Sequence, residues 1–142
     1  MRIALLTHQW PGVRLGGIGA YTRYASIALT RAGHDVHVLT LKLPADAFQS
    51  LPEGVSVNQI AGPVAAAGGE VTYRLALAQA FHDELITIHA RHPFDIIEGP
   101  EYEALAIALA GKNVPVVTQL HSGSAIARDV GNLPADAEQA MR

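Results

Sequence analysis

Three observations predict an α/β fold with a doubly wound, Rossmann-like parallel sheet for this chain of 142 residues. Strand-like apolar runs alternate with helix-like periodic segments from the N-terminus onward. The first run, Ile3 to Thr7, is short and unbroken, as in a strand buried on both faces. The first strand, helix and second strand together span about 40 residues, the size of a parallel crossover unit. Five strands are expected, in the order 3-2-1-4-5, within one domain covering residues 1–142.

Each element has its own warrant. After the first strand, Ile18, Tyr21, Ala25, Ala28, Leu29 and Ala32 recur at spacings of three and four and predict one buried helix face, stopped by Gly33. Asp35 to Thr40 is the second strand. Leu43 to Gly54, with Pro44, Pro52 and Gly54, reads as a loop, and the alternating run Val55 to Ile60 as an edge strand. Leu77, Phe81, Leu85 and Ile88 mark a helix from about Val71 to Arg91, ended by Pro93. Phe94 to Glu98 is the fourth strand, closed by Gly99-Pro100. Glu101 to Ala110 reads as a helix with acids in its first turn and Gly111 as its stop, and Val114 to Leu120 as the fifth strand. A further helix is expected after Ser124.

Composition narrows the function classes. A formal charge of -3 argues against a general nucleic-acid binder. Residues 1 to 43 carry five basic side chains against the single acid Asp35, a balance that suits a solvated helix face and would also suit anionic ligands or a membrane surface. Cysteine is absent, which removes disulfide and thiolate-metal chemistry and fits a cytoplasmic setting. No apolar run approaches the ~18 residues of a membrane span.

In a doubly wound sheet, ligands bind beyond the carboxyl ends of the strands where the order reverses, here between the first and fourth strands. Three loops meet there. The first carries Gly16, Gly17 and Gly19 at the start of a helix, where backbone N–H groups are open to approach and the helix dipole favours a phosphate or carboxylate. A plain tight turn is the alternative. A dinucleotide fingerprint fails because Thr22 stands where Gly or Ala is needed and Thr40-Leu41-Lys42 lacks the expected acid; a phosphate-binding loop starting at Gly12 fails at Ile18, where Lys is required.

The second loop holds Glu98 and Glu101, whose carboxylates can take paired hydrogen bonds from sugar hydroxyls, although Glu101 equally suits a helix first turn. The third holds His121, which ends an apolar strand before Ser122-Gly123 and can orient a hydroxyl or, when protonated, hold a phosphate. Its alternative is a structural histidine, and the convergence with the glycine loop favours the site. His34 reads as structural. His82, His89 and His92 show no pattern of metal ligands. Trp10 and Tyr102 are candidates either to stack on a ligand or to cover the sheet.

Taken together, Met1 to Thr7, Gly16-Gly17-Ile18-Gly19, Arg31 to Thr40, Phe94 to Glu101 and Val114 to His121 resemble the N-terminal half of a family 4 glycosyltransferase of the two-domain GT-B type, over Met1 to about Ser124. The resemblance implies transfer of a sugar from a nucleotide-diphosphate donor to a sugar or lipid-linked acceptor, with retention and with no essential metal or cofactor. It places Gly16, Gly17, Ile18 and Gly19 near the donor diphosphate and acceptor and His121, the catalytic candidate, beside the transferred sugar; Glu98 and Glu101 stand as substrate-binding candidates on their position at the switch point. It also implies a second, donor-binding domain that this chain lacks, supplied by further sequence or by a partner chain, so that the isolated chain is expected to be inactive. The expected setting is the cytoplasm, with peripheral contact at the inner face of the membrane. Two other outcomes stay open at this point: a non-catalytic module binding a phosphate or sugar ligand, and a remnant whose exposed sheet edge pairs with itself.

Overall fold

Ile3, Ala4, Leu5 and Leu6 offer water nothing on either side, and the chain resolves this by placing them at the centre of a sheet. The computed structural model describes residues 1–10, 16–45, 47, 52–63, 69–101, 105 and 114–121. Their elements are β1 (Arg2–Thr7), α1 (Gly17–Arg31), β2 (Asp35–Leu41), β3 (Ser56–Ile60), α2 (Gly69–Arg91), β4 (Ile96–Pro100) and β5 (Val116–Gln119). All strand pairs are parallel, and the order is β3-β2-β1-β4-β5, as expected. The remainder of the helix expected over 101–110, apart from Glu101 and Leu105, and the helix expected beyond Ser124 lie outside the described residues.

Alternation along the strands sorts the core into two layers. Ala4, Leu6, Leu39 and Ile97 face Leu77, Phe81 and Leu85 of α2. Ile3, Leu5, Val36 and Val38 point the other way, with Trp10, Leu43 and Ala47, and receive Ala25 and Leu29 of α1. Helices thus cover both faces. Trp10 is 1% exposed, which corrects one reading of it: the indole is core, not a stacking platform at the surface.

Helix α1 keeps Ile18, Tyr21, Ala25 and Leu29 of its expected face on the sheet and adds small residues to it. The fully buried positions are Ile18, Gly19, Thr22 and Ser26, whereas Ala28 and Ala32 are exposed. Small side chains let the helix lie close to the sheet, and the hydroxyls bring their own partners: Thr22 donates to the Ile18 carbonyl at 2.9 Å and Ser26 to the Arg23 carbonyl at 2.8 Å. Apolar periodicity cannot see a face built this way. The helix stops as its glycine predicts. Gly33, at φ 84°, donates to the Thr30 carbonyl and His34 to the Leu29 carbonyl, a Schellman closure.

Strand β4 also departs from expectation, beginning at Ile96 and running through Gly99-Pro100. Ile97 and Glu101 donate to β5 carbonyls, at Pro115 and Gln119, so the position of Pro100 turns its nitrogen to the β1 side. Pairing with β1 has already ended at Glu98, and the missing N–H leaves no gap in a ladder.

The amino ends of the strands are tied by Arg2. Its Nε donates to Asp35 Oδ2 at 3.2 Å, its guanidinium also bonds the His92 carbonyl, and its Cζ lies 4.4 Å from the centre of the Phe94 ring. His37 packs edge-on to the same ring and lies 3.2 Å from Asp35 Oδ1. Burial, then the nearby charge of Arg2, hold the His37 imidazole below the usual histidine range, outweighing Asp35.

Candidate functional site

The opposite edge of the sheet carries a narrow cleft beside the first turns of α1, whose closed part measures about 10 Å³, room for roughly one water molecule. It is lined by Leu5 and Leu6 of β1, Ile18, Tyr21 and Thr22 of α1, Glu98, Gly99 and Pro100 of β4, and Gln119 and His121 at the end of β5. Of the residues expected from sequence, the structure therefore brings Ile18, Glu98 and His121 together. Glu101 joins from the rim: its Oε2 accepts the His121 backbone N–H at 2.8 Å, and its own N–H bonds the Gln119 carbonyl at 3.1 Å.

The three glycines separate into different roles. A Cβ on Gly19 would lie 3.0–3.2 Å from backbone atoms of Gln9 and Trp10, so this glycine allows α1 to rest on the loop after β1. At Gly16 it would meet the Gln9 side chain amide. Gly17 meets no atom of the described residues at the same position, so among the three it is the most open to an incoming group. The N-cap is Gly16, with no side-chain cap, and the first turn of α1 carries no acid. The positive end of the dipole is therefore uncompensated by nearby carboxylates of its own helix, which suits an anion.

Two side chains in the cleft were not picked out from the sequence. Tyr21 donates its hydroxyl to Glu98 Oε1 at 2.6 Å and lies 3.4 Å from Gln119 Oε1. Its ring stands at 73° to that of His121, with centroids 5.1 Å apart. Burial, followed by the hydrogen bond to Glu98 and the charge of Glu98, pushes the Tyr21 phenol up to about 12, so it acts as a neutral donor at physiological pH. The available signals were a tyrosine one turn beyond the glycines and a glutamine two residues before the strand-end histidine.

Chemically, the cleft combines a helix start for negative charge, a carboxylate with one oxygen engaged, an imidazole, and a neutral amide. Those are groups for a polyhydroxy ligand bearing an anion. Tyr102 lies outside the described residues. Among the described residues, no three His, Asp or Glu side chains are placed to hold a metal ion, and no helix is long and apolar enough to cross a membrane.

The family profile of the glycosyl transferase 4-like domain matches residues 16–141. No curated protein sequence gives a match. Among solved structures, a sucrose-phosphate synthase from Thermosynechococcus elongatus superposes with a TM-score of 0.68 at 18% identity, over 98% of this chain and 38% of that one. Apo UGT2 of Phytolacca americana gives a TM-score of 0.61 at 14% identity, over 97% of this chain and 33% of that one. The same UGT2 complexed with UDP-2-fluoro-glucose and pterostilbene gives 0.57 at 14%, over 86% and 30%. These likenesses concern the fold, and the chain spans about a third of each of these structures.

Proposed function

The chain belongs to the glycosyl transferase 4-like domain family, and from that premise we propose that it forms the acceptor-side half of an enzyme moving a sugar from a nucleotide-diphosphate donor to a sugar or lipid-linked acceptor with retention. The observation that carries the reading is the meeting of Ile18, Tyr21, Glu98, Gln119 and His121 at the strand-order reversal, under an acid-free helix start. In this reading the N–H groups at Gly16 to Gly19 stabilise charge on the departing diphosphate. Glu98, with Glu101 at the rim, accepts hydroxyl hydrogen bonds, and His121 sits against the transferred sugar. The fold is shared with UGT2, which has been seen complexed with UDP-2-fluoro-glucose and pterostilbene, and a UDP-sugar donor for this chain is consistent with that likeness.

The nucleotide is held by a second α/β domain, on further sequence or on a partner chain. The protein works in the cytoplasm, and neither metal nor cofactor is needed. Three measurements test this. The isolated chain should neither hydrolyse nor transfer from UDP-glucose or GDP-mannose; turnover at ordinary enzyme rates would overturn the half-site reading. Supplied with its donor domain, it should turn over equally well with and without EDTA. His121→Ala should then lower kcat by roughly 10²-fold or more, and a wild-type rate in that variant would remove His121 from the mechanism.

A further inference from the structure

Tyr21 belongs to none of the motifs that mark the cleft, yet it touches three of the groups that form it. Its hydroxyl reaches Glu98 and Gln119, and its ring meets His121 edge to face. Glu98 lies within β4, Gln119 ends β5 and His121 follows it, whereas Tyr21 rides on α1, four residues beyond Gly17. One side chain therefore bridges the helix that carries the glycine turn and the strands that carry the carboxylate and the imidazole. Filling space would not require the oxygen, since phenylalanine occupies nearly the same volume. Nor does the hydroxyl exhaust Glu98: a carboxylate offers about four lone-pair directions, and Tyr21 takes up one of them, on Oε1.

We propose that Tyr21 is a positioning residue that locks Glu98 and His121 to α1 and sets the direction in which Glu98 presents its second oxygen to a ligand hydroxyl. The functional half of this rests on the reading of the cleft as a sugar site. The phenyl ring holds His121 and the hydroxyl holds Glu98, so the two halves of the lock separate by mutation. Phe at this position keeps the first and loses the second; Leu loses both.

The test is NMR on the whole chain labelled with 13C at glutamate and histidine, with free glucose as the probe ligand by saturation transfer. In Tyr21→Phe the Glu98 carboxyl carbon should move while the His121 ring signals stay at their wild-type positions, and glucose affinity should fall about tenfold, the loss of one charge-assisted hydrogen bond's alignment. In Tyr21→Leu both sets of signals should move. An unmoved Glu98 carbon in Tyr21→Phe overturns the proposal, as does a moved carbon with unchanged glucose affinity. Should the wild-type chain bind no glucose while Tyr21→Phe still moves the Glu98 carbon, the sugar reading of the cleft fails and the lock stands. The phenylalanine variant removes a single oxygen, so the test survives if the leucine variant unfolds.

Discussion

A methyl group on Gly19 would press on the backbone of Gln9 and Trp10, whereas one on Gly17 would meet none of the described residues within 4 Å. Gly19→Ala is therefore expected to cost about 1–3 kcal/mol through overpacking, and Gly17→Ala to stay within about 0.5 kcal/mol of wild type; urea denaturation of both variants distinguishes them, and equal midpoints would contradict the contact geometry. His37 supplies a second test at this scale. Its folded-state titration lies below the unfolded value, so the unfolded chain takes up the proton more readily. Stability should fall as pH drops below about 6.5, and His37→Gln should flatten that slope. The comparison isolates His37, because its neighbours Arg2, Asp35, His92 and Asp95 are present in both proteins.

Helix α2 announces itself in sequence because its inner face is made of large side chains. Phe81 and Leu85 are wholly buried, and Phe81→Ala should cost about 3–5 kcal/mol, visible as a large fall in the thermal midpoint or as loss of the folded state. Helix α1 is only half legible. Its start, its stop at Gly33 and its buried Ile18 follow from glycine and periodicity, but Thr22 and Ser26 fall outside the apolar period, and their carbonyl partners are what allow them to be buried. For strand β4, proline was read as punctuation; only the alternation of hydrogen-bond directions explains why Pro100 is accommodated inside it. In the cleft, His121 could be placed from its strand end alone, since topology decides where that goes, whereas Glu98, expected at the end of its strand, lies within β4. Tyr21 could not be placed, because the rotation of α1 that aims it at Glu98 is decided by the small-residue contact with the sheet.

Across the whole molecule, the Arg2 cluster and the cleft occupy opposite ends of the same strands. Six residues of β1 at about 3.3 Å each put them roughly 15–20 Å apart. Destabilisations from Tyr21→Phe and His37→Gln should therefore add to within about 0.5 kcal/mol in the double variant, and a larger coupling would mean that the sheet transmits strain from one end to the other. The buried tryptophan gives this molecule one more property. Trp10 is the only indole in the chain, it is sealed in the layer under α1, and its backbone abuts Gly19. Light absorbed at the red edge of the protein spectrum is thus re-emitted from a single place, beside the turn that would meet a ligand's phosphates. The colour and yield of that emission report in real time whether the turn is packed, shifted or lost, with no label attached.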